Sequence, residues 1–204
     1  MKILMVLEKD FPPDLRVENE MKSLVKSGHN VVMACFTFTG NDRKEVWNNC
    51  TIYKKKITSF QYKSSVGALK FPFYFNFWRK HLRKIISLES PDAIHIHDLP
   101  LARLGSEIKQ KKHLQFILDL HENWPAFLRI SKHTNTFFGK ILSSNIQWEN
   151  YELKSCNQAD KVIVVIEEAK ERLIHAGIPE NKISVIFLSS FCTLGNSLKS
   201  ARTG

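Results

Sequence analysis

Short apolar runs, most of them followed by a segment with helical periodicity, leave few folds open to this chain. The runs are Ile3–Leu7, Val31–Phe36, Ala93–Ile96, Phe116–Leu120, Val162–Ile166 and Ile183–Leu188. Each has the length and character of a strand covered on both faces rather than on one. After the first run, Val17, Met21, Leu24 and Val25 recur at i, i+4, i+7 and i+8, and Gly28 stands where such a helix would end. Further helices are expected around Leu101–Lys111, around Phe137–Ser155 and over Glu167–Ala176, the last closed by Gly177 and Pro179. Strands alternating with helices predict an α/β fold with a doubly wound, mainly parallel, Rossmann-like sheet. In such sheets ligands bind beyond the carboxyl ends of the strands, so the residues that follow each strand hold most of the functional information.

Composition narrows the partners without choosing among them. The 204 residues have a formal charge of +10, which favours an anionic partner: nucleic acid, an acidic membrane surface or a phosphorylated substrate. No nucleic-acid-binding motif is present, and none is expected to act. Cys35, Cys50, Cys156 and Cys192 are widely spaced with no C-x-x-C pair, which fits a reducing, cytoplasmic setting better than a disulfide framework. The apolar run Ile3–Leu7 is shorter than the hydrophobic region of a signal peptide. The longest uncharged stretch, Ile183 to Leu198, is shorter than the roughly 20 residues of a spanning helix, so any membrane contact is expected to be peripheral.

Three strand ends bear polar clusters. The first is Glu8-Lys9-Asp10-Phe11-Pro12-Pro13-Asp14-Leu15-Arg16, in which Asp14 is placed to cap the following helix. Arg16 near that helix start suits either a grip on an anionic or hydroxyl-rich ligand or a simple ion pair with Asp14 or Glu18. The second is His95-Ile96-His97-Asp98-Leu99-Pro100, where alternation puts His95 and His97 on one face. The third is Asp119-Leu120-His121-Glu122-Asn123-Trp124-Pro125. These histidines suit acid–base or substrate-orienting work, structural hydrogen bonding, or metal ligation. No H-E-x-x-H or comparable spacing supports the last, and no metal or other cofactor is expected. The first loop likewise lacks the G-x-G-x-x-G and Walker patterns.

In order along the chain, these pieces resemble the retaining glycosyltransferases of family four. Asp14-Leu15-Arg16-Val17 with Gly28-His29-Asn30-Val31 is similar to their opening D-x-R-V and G-H-x-V. His95 to Pro100 resembles an H-x-H-D strand end, and Asp119 to Pro125 a D-x-H-E-x-x-P strand end. Ala159-Asp160-Lys161-Val162-Ile163-Val164-Val165 resembles their A-D-x-V-I-x-V strand. The resemblance covers residues 2–186 and implies the acceptor-side N-terminal domain of a GT-B enzyme, leaving 187–204 as an atypical tail. It implies His121 as the catalytic histidine at the donor sugar, with Asp14, Arg16, Asn19, His97 and Asp98 toward the acceptor. It implies a nucleotide sugar as co-substrate, held by a donor domain for which nothing after Ile186 has a counterpart. That domain would belong to a longer form of the chain or to a separate donor-domain chain, and these residues are expected to be inactive alone. The acceptor would be a polysaccharide sugar or a lipid-linked acceptor. Two other classes fit the same residues: a non-catalytic docking subunit of a split enzyme, and a metal-dependent hydrolase built on His95, His97, Asp98 and His121.

Between the apolar runs Val31–Phe36 and Ala93–Ile96 lies Lys70 to Ile86, a basic amphipathic pattern. At 100° per residue Phe71, Tyr74, Phe75, Trp78, Leu82, Ile85 and Ile86 share one arc, and Arg79, Lys80, Arg83 and Lys84 the other. This is either a core helix with a solvated basic face or a surface that docks on anionic lipid. The second reading takes Phe73, Phe77, Trp78, Arg79, Lys80, Arg83 and Lys84 as membrane contacts, flanked by Lys54, Lys55, Lys56, Lys63 and Lys70.

Overall fold

The computed structural model describes residues 1–126 and 145–187, apart from the side chain of Val66. Its strands are β1 (Lys2–Val6), β2 (Asn30–Thr37), β3 (Arg43–Trp47), β4 (Cys50–Lys56), β5 (Ala93–His97), β6 (Gln115–Leu120), β7 (Lys161–Val164) and β8 (Ile183–Val185). Its helices, numbered among the described residues, are α1 (Leu15–Lys26), α2 (Ser59–Lys63), α3 (Phe73–Glu89), α4 (Ala102–Lys112), α5 (Asn145–Gln158) and α6 (Glu167–His175). The strands form one sheet in the order β3-β4-β2-β1-β5-β6-β7-β8. Every neighbouring pair is parallel except β3 and β4. The expected doubly wound α/β sheet is therefore present.

The hairpin β3–β4 lies outside the six apolar runs. Its two-residue loop places Asn48 and Asn49 at φ 45° and 62°, both in the left-handed region that tight hairpin turns require and asparagine tolerates. The Asn-Asn pair was the available signal, but Lys54-Lys55-Lys56 interrupts the apolar pattern that marks a strand. Lys54 itself is buried, with Nζ 3.2 Å from Asp10 and 2.9 Å from Glu45, so it is no free surface charge.

Alternation along the strands divides the core between the two sheet faces. Leu4 and Val6 of β1 join one cluster with Ile94, Ile96, Leu118 and the helices α3, α4 and α5. Ile3, Met5 and Leu7 join the other, with Val31, Met33, Cys35 and the α1 residues Val17 and Met21. On the first face α4 lies so close to β6 that a Cβ at Gly105 would stand 2.2 Å from the Phe116 ring. Asp14 caps α1, accepting from the Val17 N–H, and Gly28 follows the helix at φ 82°.

The α3 aromatics are where the structure corrects the sequence. Trp78 is 0% exposed and Phe77 8%, and both pack in the sheet core with Tyr74, Phe75, Leu82 and Ile85. Neither can meet a membrane. Arg79 is held in a two-pronged ion pair with Glu107 at 2.7 and 2.6 Å. Phe73, Lys80, Arg83 and Lys84 are exposed as expected. The helix expected around Phe137–Ser155 is α5 in its described part and runs on to Gln158; its start and the tail after residue 187 lie outside the described residues. Among the described residues no helix is long and apolar enough to cross a membrane.

Candidate active site

The chain leaves β1 toward β2 on one side and later returns to place β5 on the other, so β1 and β5 flank the point where the winding of the sheet reverses. A crevice opens beyond the strands at such a point. On the α1 face, the apolar side chains of β1 and β2 give way at β5 and β6 to His95, His97 and Asp119, all of them buried. A core face that turns polar over two adjacent strands is a candidate functional site.

Asp119 is the centre of this cluster. Its Oδ2 lies 3.0 Å from His121 Nε2, 3.2 Å from His97 Nδ1 and 3.5 Å from His95 Nε2. The His95 and His97 rings stack at 4.4 Å, and those of His97 and His121 at 5.8 Å. From α1, Glu20 reaches down to His121 at 3.4 Å and His97 at 3.8 Å. Asp98 lies 3.5 Å from His121 Nδ1, and its other oxygen 3.6 Å from Arg16, which also faces Asp14 at 3.7 Å. Asp98 adopts φ 65°, a left-handed backbone that costs a non-glycine residue of order 1 kcal/mol or more. Its N–H donates to the Asp119 carbonyl at 2.8 Å, and that bond fixes the end of β5 against β6.

The electrostatics follow from this packing. Burial disfavours charge on His121, but the surrounding Asp119, Asp98 and Glu20 carboxylates outweigh it and push the imidazole up to about 11. Burial opposes ionisation of Asp119 too, yet the three histidines hold it well below the usual carboxylate range. Burial and the neighbouring His97 lower His95. At neutral pH the site therefore holds an imidazolium at His121 against a charged Asp119. At the end of β1, burial raises Glu8 to about 7 against the opposing hydrogen bond that the Tyr74 hydroxyl donates to it at 2.6 Å. Tyr74 thus ties α3 to the mouth of the site.

Of the residues expected from sequence, His97, Asp98, His121, Asp14 and Arg16 form one connected network. Asn19 does not join it: the residue is exposed, and its recorded bond is a carbonyl accepting from Ser23 within the helix. Glu20, one position on, faces the histidines instead. Glu20, Asp119 and Glu8 were missed as site residues. Asp119 had a signal, since it follows Phe116-Ile117-Leu118 in a buried strand and a carboxylate there needs a partner.

Glu20, His95, His97 and Asp119 could also hold a metal ion, because one ligand atom from each lies within 4.8 Å of the others. No fixed ligand spacing in the sequence supports a metal centre there. We expect dialysis against EDTA followed by addition of Zn²⁺ to leave the thermal midpoint within about 1 °C of its starting value. A rise of several degrees, equivalent to about 1 kcal/mol or more in a domain of this size, would show a metal centre instead.

Comparison with known proteins decides the family. The model of Glycosyltransferase Family 4 matches residues 16–187. The chain belongs to this family. A search of curated proteins found no match. Among solved structures, sucrose-phosphate synthase from Thermosynechococcus elongatus superposes with TM-score 0.65 at 14% identity over 91% of this chain and 47% of that one. A shorter chain of the same synthase gives TM-score 0.61 at 14% identity over 94% of this chain and 91% of that one. Anabaena HepE in complex with UDP and glucose gives TM-score 0.56 at 14% identity over 92% of this chain and 44% of that one. The family-four chain thus has the fold of one GT-B domain and spans about half the length of the full synthase.

Proposed function

We propose that these residues form the acceptor-side wall of a site that transfers a sugar from a nucleotide sugar, with retention, to a polysaccharide or lipid-linked acceptor. The observation that carries this reading is the Asp119–His121–Asp98 network at the reversal point of the sheet in a family-four chain. A glycosyl centre that becomes oxocarbenium-like while a diphosphate departs is stabilised by fixed hydrogen bonds and positive charge held in place beforehand. His121 would supply such a group at the donor sugar. Arg16 and Asp98, tied to each other, would orient acceptor hydroxyls, with His97 and Glu20 as positioning residues behind His121.

The nucleotide would be held by a second Rossmann-like domain outside the described residues, facing this one across the crevice. Two of the structural neighbours contain UDP with glucose or UDP-2-fluoro glucose, so uridine diphosphate sugars are the first donors to test. In a panel of nucleotide sugars with membrane and polysaccharide extracts as acceptors, the 204-residue chain alone is expected to release no nucleoside diphosphate above background. Supplying a donor domain, fused or as a second chain, is expected to produce release that depends on the acceptor. Robust transfer by the 204 residues alone would overturn the division of labour, and no transfer with any donor domain would overturn the function.

A further inference from the structure

The crevice between β1 and β5 has a second side, toward α3 rather than α1. Leu4 and Val6 of β1 point that way, and the same alternation carries Glu8, just past the strand, to where the Tyr74 hydroxyl donates to its Oε1 at 2.6 Å. The other carboxyl oxygen, Oε2, has no hydrogen-bond partner among the described residues, and it lies open on a half-buried residue. Nearby, the Tyr151 hydroxyl accepts from the Arg103 N–H at 2.8 Å and donates to the Pro100 carbonyl at 3.2 Å. These bonds pin the turn after β5 that begins with Asp98, which is itself held by Arg16 and His121.

The proton on Glu8 has a defined place. The titratable groups that face this carboxyl are Tyr74 from α3, Asp98 from the turn after β5 and Tyr151 from α5. Burial raises both phenols, so they stay neutral at physiological pH. Burial also raises Glu8 to about 7, the Tyr74 bond opposing it and the Asp98 charge adding to it. Since Oε1 accepts from Tyr74, the neutral acid carries its proton on Oε2, the open oxygen. The neutral form thus offers an O–H donor to the crevice. The ionised form offers none and sets a second negative charge near Asp98.

We propose that Glu8 binds the acceptor, its Oε2–H donating to a hydroxyl or ring oxygen of an uncharged sugar, so that this side of the crevice takes a neutral pyranoside and refuses a sugar phosphate or uronate. The chemistry of the wall carries the choice. A neutral ligand oxygen satisfies the Glu8 donor at no electrostatic cost, whereas a phosphate or carboxylate there would face the Asp98 carboxylate and, as pH rises, Glu8 as well. A ligand with no oxygen at that position would leave the donor unpaired. The inference rests on the acceptor-side reading of the crevice and adds to it the charge class of the acceptor and the residue that selects it. Because the effect is on binding, turnover at saturating acceptor shows no inflection from it.

The test reads binding alone, so its failure and that of the transfer reading are separate. Methyl α-glucoside, methyl α-galactoside and methyl α-mannoside, with glucose 1-phosphate and glucuronate as charged counterparts, are titrated into the 204-residue chain by ligand-observed NMR. At least one neutral glycoside is expected to bind about tenfold more tightly at about pH 6 than at about pH 8, the ratio set by a group titrating at about 7 when only its neutral form binds. The charged counterparts are expected to bind more weakly by about tenfold or more. Glu8→Gln, whose amide keeps an N–H donor and an oxygen for Tyr74, is expected to hold the tighter binding at both pH values. Glu8→Leu is expected to weaken it by about tenfold at about pH 6; circular dichroism confirms that each variant is folded. Binding independent of pH in the unaltered chain, a pH ratio that persists in Glu8→Gln, equal binding of glucose 1-phosphate, or no binding of any neutral glycoside would each overturn the proposal. Absence of transfer with a donor domain, these binding results standing, would remove the transfer reading and leave the sugar site.

Discussion

His121→Ala is expected to lower the turnover of the proposed two-domain enzyme by roughly 10²–10³-fold, the usual loss when a fixed electrostatic group is removed from a reaction centre. That corresponds to about 3–4 kcal/mol of transition-state stabilisation. The distinguishing readout is pH. With its folded value raised to about 11, His121 stays protonated across the neutral range, and in the proposed reaction it would act as fixed charge rather than as a proton shuttle. The rate should therefore show no histidine-like inflection between about pH 6 and 9. The same shift bears on stability. A raised folded value contributes stabilisation that is complete below the unfolded value of 6.5 and is lost as pH rises toward 11. The alkaline decline in stability should flatten in His121→Asn. An inflection near pH 6.5 that disappears in the variant would return His121 to acid–base duty.

Trp78→Ala is expected to cost about 3–5 kcal/mol in urea denaturation, a large part of the stability of a domain this size. The indole is fully buried and packs within 6.2 Å of Phe36, 5.7 Å of Phe77 and 6.0 Å of His81, ring centre to ring centre. Phe73→Ala, a few residues earlier on the same helix but 68% exposed, should change stability by less than about 0.5 kcal/mol. The pair separates core from surface on one helix. A cost below about 1 kcal/mol for Trp78→Ala would mean that α3 does not pack on the sheet as described.

How far the sequence could be read depended on range. Period two along β5 puts His95 and His97 on one face, because strand geometry is local. The partners of those histidines were not local. Glu20 lies on α1 and Asp119 at the end of β6, and only the order of the strands and the packing of α1 on them bring these carboxylates to the histidines. For α3 the helical arc correctly grouped Tyr74, Phe75, Trp78, Leu82 and Ile85, all of which are buried. Phe77, taken with Trp78 as a membrane contact, is buried instead because depth depends on what lies opposite: Phe77 sits beside the β4 residue Lys55, at the margin of the arc. Lys54 shows the same limit, since its burial depends on Asp10 and Glu45 from two other segments.

Strand β5 faces two ways at once, with Ile94 and Ile96 in the core on one side and His95 and His97 in the polar cluster on the other. A single-codon insertion or deletion inside it would exchange the two sets, driving imidazoles into the hydrophobic layer and isoleucines into the crevice. This strand can therefore be retuned by point substitution but hardly by a change in length. Changes in length are better tolerated in the connections beyond the strands, which run over the surface.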